Sequence, residues 1–234
     1  MTAHSLHRVP RPRRHPRKIA LFGGSFDPIH VGHLAVARAA QRRFHLDEVH
    51  FISSGRPPHK HRDALAPFLH RYAMVALTCT EGPHFVASLA EAGPDWSGRR
   101  VSYSIETVRH YRQIFRQPGD HLYFVLGADS FLELPTWKEY KALLNSCDFI
   151  VASRPGFRTD ALRQVIPAEL LAPRASPAAA RAIALRRTTV YLLDTVASNV
   201  SATEVRRRLD RGQSIRGLVP AHVEEYICKQ GLYR

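Results

Sequence analysis

The stretch from Lys18 to His33 constrains the fold of this chain more than any other part of it. It reads KIALFGGSFDPIHVGH. The apolar run at residues 19–22 contains no turn residue and is typical of a buried strand, and Gly23 and Gly24 end it where a helical pattern begins. The glycines let backbone N–H groups approach a ligand, and the positive N-terminus of the following helix points at the same place. The stretch therefore predicts a strand, a tight turn and a helix that together form an anion site.

Two histidines, His30 and His33, stand three residues apart at the start of the predicted helix. On a helix this spacing places both rings on one face, where each can donate a hydrogen bond to a phosphate oxygen. The same spacing would let the pair share a metal ion, although no third ligand of suitable spacing is evident and the glycine turn favours anions. A pair of water-exposed surface histidines is the remaining alternative. We favour the anion site.

The residues that follow predict a parallel sheet. Residues 34–44 carry apolar side chains at helical spacing, and residues 48–52 have the character of a second strand. A strand, a helix and a strand within about 35 residues form a βαβ unit, which requires parallel pairing. Further helices are predicted at 67–79, from Thr107 to about 115, and from 134–140 onward. Further strands are predicted at 84–88, 122–126, 148–152 and 189–193. We therefore predict an α/β fold, a doubly wound parallel sheet of the Rossmann-like type, with residues 157–188 as an irregular excursion that could include short helices.

The charge pattern divides the chain. The formal net charge is +14, and the first 18 residues contribute +6 of it, with three prolines and no acidic residue. We expect residues 1–17 to form a disordered basic arm. Residues 18–197 are predicted to be a nucleotide-binding catalytic domain and residues 198–234 a small helical C-terminal subdomain. Because the rest of the positive charge is spread along the chain, nucleic acid is not the expected partner.

Cysteine and hydropathy patterns exclude further classes of protein. Cys79, Cys147 and Cys228 are far apart and form no paired motif, which argues against a disulfide framework and a cysteine metal site. No run approaches the roughly 18 apolar residues of a membrane span, and the N-terminus lacks the apolar block of a signal peptide. We therefore expect a cytoplasmic protein.

Loops after the predicted strands carry further candidate residues, because the carboxyl ends of parallel strands form the ligand crevice of an open α/β sheet. The loop after residues 48–52 contains two prolines that hold it extended. His59 and Lys60 follow these prolines and would lie near the phosphates. Gly127 and Asp129 come directly after another predicted strand, where the acid could also be a solvated loop residue.

Two more stretches complete the candidate site. Ser201 is suited to cap a helix, and Glu204 three residues later completes a capping box, so this helix begins with free N–H groups and a positive end. Arg206 projects from its first turns, whereas the arginines that follow are expected to face water. Tyr103 and Trp137 could be core aromatics, but their places after strand ends favour stacking on a pyridine or adenine ring.

These motifs carry a resemblance. Gly-Gly-Ser-Phe-Asp-Pro followed by His-x-Gly-His resembles the opening of the nucleotidylyltransferase superfamily. That opening leaves the substrate undecided, because pantetheine-phosphate adenylyltransferases and several cytidylyltransferases have similar ones. Pro-Pro-His-Lys at residues 57–60 and Leu-Pro-Thr-Trp at 134–137 resemble the bacterial nicotinate-nucleotide adenylyltransferase family in particular. The stretches at 102–107 and 200–206 are similar to that family too.

The resemblance implies transfer of AMP from ATP to nicotinate mononucleotide, giving nicotinate adenine dinucleotide and pyrophosphate in NAD biosynthesis. It implies catalytic roles for His30, His33 and Arg206. It implies ATP contacts at Gly23, Gly24, Ser25, Phe26, Gly127, Asp129, Arg154, Ser201 and Thr203. It implies contacts with the acceptor nucleotide at His59, Lys60, Tyr103, Ser104 and Trp137. Mg²⁺ is expected to arrive with ATP and to need few protein ligands, so no dedicated metal site is expected.

Two positions depart from the family pattern, and two functional alternatives stay open. Ser104 stands where a threonine is usual and keeps the hydroxyl, whereas Ala202 replaces a serine and removes one phosphate hydrogen bond worth ~1 kcal/mol. The first alternative is a preference for the amide substrate, nicotinamide mononucleotide. The second is a non-catalytic nucleic-acid-binding protein on the same fold. A homo-oligomer is compatible with the sequence.

Overall fold

The computed structural model describes residues 15–55, 65–94, 96, 101–153, 157–173, 181–194 and 200–234. Its first elements are strand β1 (Lys18–Gly24), helix α1 (Val31–Phe44) and strand β2 (Glu48–Ser53). The two strands pair in parallel, with Phe22 opposite Phe51. The predicted βαβ unit is confirmed, and its helix begins at Val31.

Five further strands complete one sheet of seven. They are β3 (Phe85–Ser88), β4 (His121–Gly127), β5 (Asp148–Ala152), β6 (Ala182–Ala184) and β7 (Thr189–Leu193). The strand order is β3-β2-β1-β4-β5-β7-β6, and every neighbouring pair is parallel except β6 with β7. The predicted parallel sheet is thus confirmed. Its order reverses between β1 and β4, which is where open α/β sheets bind ligands.

Helices cover both faces of this sheet. The remaining ones are α2 (Phe68–Cys79), α3 (Ser104–Ile114), α4 (Ala128–Leu132), α5 (Tyr140–Leu144), α6 (Thr159–Gln164), α7 (Ala202–Asp210) and α8 (Ala221–Gln230). One core cluster includes Ile105, Phe131 and Phe149, and a second includes Phe51 and Ile227. Two separate cores are what a doubly wound sheet requires. Within the described ranges, no helix is both long and apolar enough to cross a membrane.

Two predictions about the second half of the sheet need correction. The described part of residues 157–188 contains α6 and a 3₁₀ turn at Ala168–Leu170, in agreement with short helices, but also the edge strand β6, which was not predicted. In β6 only Ile183 is buried, so the strand is too short to show an alternating pattern. The helix predicted to start at 134–140 is divided into a 3₁₀ turn at Leu134–Thr136 and α5, and the short helix α4 precedes it. Glu139, with a left-handed φ of 51°, separates the turn from α5.

The helical C-terminal part is present and packs on the sheet. Val205 of α7 and Ile227 of α8 belong to the same core cluster as Ala20 of β1. The backbone N–H of Val31 donates to the carbonyl oxygen of Leu218 at 3.0 Å, which ties the start of α1 to this part of the chain. The two C-terminal helices are therefore packed against β1, and the segment between them holds the start of α1.

The boundary of the predicted basic arm needs one correction. Residues 1–14 lie outside the described residues. Arg17, counted with the arm, is only 8% exposed, and its backbone N–H donates to Asp120 Oδ1 at 3.0 Å. Its guanidinium lies 4.3 Å from the ring centroid of Phe115. Arg17 therefore belongs to the folded domain, because its backbone continues into β1.

Candidate active site

A cleft of about 970 Å³ opens at the carboxyl ends of β1, β2, β4 and β5. It lies over the point where the strand order reverses, so its place follows from the topology. Ten predicted site residues line it: Gly23, Gly24, Ser25, His30, His33, Tyr103, Ser104, Gly127, Asp129 and Trp137. These residues are far apart in the sequence, and the fold brings them around one opening.

The two histidines meet at the start of α1. His30 is the N-cap, with an extended backbone at φ −142° and ψ 170°, and His33 lies in the first turn. The backbone N–H of His30 donates to Nδ1 of His33 at 3.2 Å. The ring centroids are 3.7 Å apart and the ring planes are inclined by 30°. The prediction that both lie on a helix is therefore corrected: only His33 is helical, and the rings stack across the helix start.

The hydrogen bond to Nδ1 lets us assign the proton on His33. A backbone N–H can only donate, so Nδ1 is the acceptor and Nε2 of the neutral ring carries the hydrogen. Burial lowers the pKa of His33 well below its usual value, and the neighbouring charge of His30 lowers it further. At neutral pH the ring is uncharged. His33 can therefore offer an anion one hydrogen bond, donated by Nε2.

Burial of His30 predicts a pH dependence of stability. Burial lowers its pKa from 6.5 to about 4. Between these values the unfolded chain binds a proton that the folded chain does not, so stability falls as the pH is lowered. From about pH 7.5 to about pH 5 this group should remove about 2 kcal/mol of the free energy of unfolding. Urea unfolding at both pH values should show a smaller loss in His30→Gln than in the wild type, and equal losses would contradict the burial argument.

The loop between β1 and α1 is shaped by the ring of Phe26. This residue has a φ of 45° and is only 1% exposed. Its ring lies 5.0 Å from that of His33 and 5.8 Å from that of Phe51. A Cβ on Gly24 would meet the Phe26 ring at 3.1 Å, so this close approach favours glycine. The ring of Phe26 is buried beside His33 and does not line the cleft, so the ATP contact expected at Phe26 stays a prediction and would involve its backbone.

Asp27 joins this loop to the C-terminal part. Its carboxylate is 1% exposed, and Oδ1 accepts from the backbone N–H of Ala66 at 3.1 Å and from the Tyr233 hydroxyl at 2.7 Å. Nη1 of Arg206 donates to the Asp27 carbonyl oxygen at 2.6 Å and lies 3.7 Å from Oδ2. Arg206 is thus held against the loop that carries His30. Its side chain is 34% exposed and contacts Asp27 rather than lining the cleft.

The start of α7 confirms one half of the predicted capping box. The Ser201 hydroxyl accepts from the backbone N–H of Glu204 at 3.2 Å. The other half is absent, because the Glu204 carboxylate instead accepts from Arg207 and Arg208. These hydrogen bonds lower the pKa of Glu204 to about 2. The Thr203 hydroxyl accepts from Arg206 at 3.5 Å. Neither Ser201 nor Thr203 lines the cleft, so any phosphate contact there would be made through Arg206 or the helix N-terminus.

Aromatic residues line another part of the cleft. Tyr103 caps α3 and Ser104 is its first residue, and Trp137 directly follows the 3₁₀ turn after α4. The ring of Trp137 packs edge-on against Phe124, with centroids 6.4 Å apart. The ammonium of Lys138 lies 4.2 Å from the ring centroid of Tyr103. Both aromatic rings are partly exposed in the cleft, which suits stacking on a planar ligand.

Comparison with known proteins identifies the family. The chain matches the Cytidylyltransferase-like family model over residues 21–208. It is 38% identical to a protein of Moorella thermoacetica described as a probable nicotinate-nucleotide adenylyltransferase, over 94% of this chain and 93% of that protein. A Thermus thermophilus protein with the same description is 39% identical, over 93% of this chain and 100% of that protein. The chain belongs to the nicotinate-nucleotide adenylyltransferase family. The resemblance inferred from its motifs is confirmed.

Solved structures agree with the fold of this family member. A Plasmodium falciparum nicotinic acid mononucleotide adenylyltransferase complexed with NaAD matches it with a TM-score of 0.67 at 19% identity, over 93% of this chain and 97% of that one. A putative nicotinate-nucleotide adenylyltransferase from Vibrio parahaemolyticus matches with a TM-score of 0.59 at 16% identity, over 93% and 96%. At these identities the likeness supports the fold alone.

Arg71 is a site-forming residue of this nicotinate-nucleotide adenylyltransferase family member that its sequence did not reveal. It is 2% exposed and donates four hydrogen bonds to backbone carbonyls. They go to Ala66 at 2.9 Å, Ser25 at 2.7 Å, Ser54 at 2.8 Å and Gly55 at 3.1 Å. One guanidinium therefore joins the β1–α1 loop, through Ser25, to both ends of the β2–α2 loop, through Ser54, Gly55 and Ala66. An arginine inside an amphipathic helix gives no sequence signal for such a role.

A further residue of the cleft was not predicted, and three predicted residues cannot be compared with the structure. Glu91 lines the cleft but was missed, because it lies in an irregular stretch where no periodic pattern marks an acid. His59, Lys60 and Arg154, which the family resemblance places at the nucleotides, lie outside the described residues. Their assigned contacts stay predictions.

Proposed function

We propose that this chain transfers AMP from ATP to nicotinate mononucleotide, giving nicotinate adenine dinucleotide and pyrophosphate. One observation carries the proposal: a single cleft combines a helix start bearing two stacked histidines with two partly exposed aromatic rings, Tyr103 and Trp137. The helix start suits phosphates, and the rings suit a pyridine or an adenine. Membership of the nicotinate-nucleotide adenylyltransferase family agrees with this combination.

The reaction needs no covalent intermediate on the protein. The acceptor brings its own nucleophile, an anionic phosphate oxygen, which attacks the α-phosphorus of ATP while the bond to the pyrophosphate oxygen breaks. The protein has to align the two nucleotides and to stabilise the charge that moves onto pyrophosphate. His30 and His33 would donate to the α-phosphate region, together with backbone N–H groups of Gly24 and Ser25.

Arg206 and the start of α7 would hold the β- and γ-phosphates. The contact between Arg206 and the Asp27 carbonyl keeps the guanidinium beside the loop that leads to His30. Ser201 and Thr203 would contribute through this helix start. Gly127 and Asp129 line the cleft at the end of β4 and would contact the ribose of ATP.

Mg²⁺ would reach the site with ATP. Among the residues that the structure describes, no group of three or more His, Cys, Asp or Glu side chains is placed to hold a metal ion. We expect the ion to be coordinated mainly by the triphosphate and water. Bound there, Mg²⁺ would neutralise charge on the leaving pyrophosphate.

Truncation of Trp137 should separate the two substrates. In Trp137→Ala the KM for the pyridine nucleotide should rise about 10-fold, because a lost stacking surface is worth about 1–3 kcal/mol for one base. The KM for ATP should change by less than about 2-fold. Steady-state kinetics with each substrate varied in turn measure both values. Equal increases in the two KM values would contradict the stacking of Trp137 on the pyridine ring.

The activity is tested by measuring pyrophosphate release from ATP and Mg²⁺ with separate acceptors. Nicotinate mononucleotide should give the highest kcat/KM, nicotinamide mononucleotide a lower one, and pantetheine phosphate none. A higher value for the amide would transfer the assignment to the nicotinamide substrate. Absence of release with every acceptor would refute the proposed function.

A further inference from the structure

Glu91 has no role in the reaction as described, yet its carboxylate joins two walls of the cleft. It lies after β3, and its Oε2 accepts from the Ser102 hydroxyl and from the backbone N–H of Gly55 at 3.4 Å. Its Oε1 accepts from the Thr107 hydroxyl at 2.8 Å. Gly55 follows β2, whereas Ser102 and Thr107 flank the start of α3, where Tyr103 and Ser104 lie.

The start of α3 packs against the core on one side, where Ile105 is buried, and borders open space on the other. A second cavity of about 220 Å³ shares Glu91, Ser102, Tyr103 and Thr107 with the main cleft. On the side that faces the two cavities, packing leaves the segment room to move. Hydrogen bonds from a fixed acceptor then decide where the segment lies.

Glu91 is itself held in place through Gly55. The Gly55 N–H donates to Glu91, and its carbonyl oxygen accepts from the buried guanidinium of Arg71 at 3.1 Å. Burial raises the pKa of Glu91, while its hydrogen bonds with Ser102, Thr107 and Gly55 and the charge of Arg71 act in the opposite direction. The carboxyl group is thus a junction between the clamp formed by Arg71 and the start of α3.

We propose that Glu91 is a positioning residue that fixes Tyr103 and Ser104 for the acceptor nucleotide. This inference rests on the proposed function, since it assumes that these two residues contact the acceptor rather than ATP. It concerns the shape of the acceptor half of the cleft, and the charge of the carboxylate is not required for it.

Two substitutions at Glu91 separate the effect of its hydrogen bonds from the effect of its charge. Glu91→Gln can keep all three hydrogen bonds: its oxygen faces the Gly55 N–H and the Ser102 hydroxyl, and its NH₂ faces Thr107, whose hydroxyl can accept as well as donate. Glu91→Ala removes all three. Glu81→Ala, at the surface after α2 and paired there with Arg38, is the matched control.

Steady-state kinetics then test the proposal. In Glu91→Ala the KM for nicotinate mononucleotide should rise at least ~10-fold, and in Glu91→Gln by less than about 3-fold. The KM for ATP should stay within about 2-fold in both variants, as should both KM values in the control. Equal increases for the two substrates, or a folded Glu91→Gln variant as impaired as Glu91→Ala, would overturn the assignment.

A second measurement does not depend on activity. Backbone hydrogen exchange of residues 101–107 should become faster in Glu91→Ala and stay unchanged in Glu91→Gln, because only the first releases the start of α3. Unchanged exchange in both variants would contradict the positioning role of Glu91 even if the wild type lacked the proposed activity. If Glu91→Ala fails to fold, Thr107→Val removes one donor at nearly constant volume. It should give the same split between substrates with a smaller factor, and an equal effect on both would count against the proposal.

Discussion

The His33→Ala variant is expected to lose at least ~100-fold in kcat while its fold stays intact, which is the effect of removing one donor that stabilises the transition state. The structure gives the reason for this size. His33 is neutral and donates through Nε2 only, so alanine removes its whole contribution to the phosphates. The KM for ATP should change much less than kcat, because the hydrogen bond strengthens as charge develops.

Two further substitutions at His33 separate its two nitrogens. His33→Asn places an amide near the position of Nδ1, so it can still accept from the His30 N–H but has no donor at Nε2. His33→Gln reaches the position of Nε2 and can return a donor there. We therefore expect the asparagine variant to be as slow as the alanine variant and the glutamine variant to recover part of the rate.

A control for these variants lies at the amino ends of the strands, opposite the cleft. His84 is exposed before β3, and its Nδ1 contacts the Asp47 carbonyl at 3.0 Å. His84→Ala should keep kcat within about 2-fold of the wild type, as is usual for a surface site. Thermal unfolding of all four variants checks the fold. A folded His33→Ala enzyme with near-normal turnover would remove His33 from the catalytic residues.

Much of the fold follows from the sequence because it depends on local patterns. The strands at 148–152 and 189–193 have the predicted bounds, since a buried parallel strand is a short apolar run between turn residues. The start of α7 follows from the side chain of Ser201 alone. The strand order needs more than these patterns. The edge strand β6 could not be predicted, because it exists only through pairing with β7.

The site was predictable where a motif coincides with a strand end and unpredictable where it depends on long-range contacts. Gly24, His33 and Asp129 line the cleft as expected. Phe26 belongs to the same motif, but its ring is buried, and which way a loop side chain points depends on the packing of β2. Arg206 is at the start of α7 as predicted. Its contact with Asp27 joins residues at opposite ends of the chain and has no local signal.

Replacement of Arg71 should cause the largest loss of stability of any change considered for this chain. Its guanidinium supplies the donors for four backbone carbonyls in two loops, and Arg71→Leu leaves those acceptors without a partner. A buried polar group that loses its hydrogen bond costs about 1–3 kcal/mol, so the variant should lose at least ~3 kcal/mol of the free energy of unfolding. The stability of Arg71→Lys should lie between those of the wild type and Arg71→Leu, because one ammonium cannot reach all the carbonyls that surround the planar guanidinium.

Urea denaturation of the wild type, both Arg71 variants and Arg38→Leu measures these differences. Arg38 is the matched control, since it pairs with Glu81 at the surface and such pairs are worth about 0–1 kcal/mol. Both loops joined by Arg71 line the cleft, through Ser25 and Ser54. Arg71→Leu should therefore also lower kcat/KM for both nucleotides, unlike Trp137→Ala. If Arg71→Leu were no less stable than Arg38→Leu, the loops would be held by their own packing, and a rigid cleft would have to be explained without this clamp.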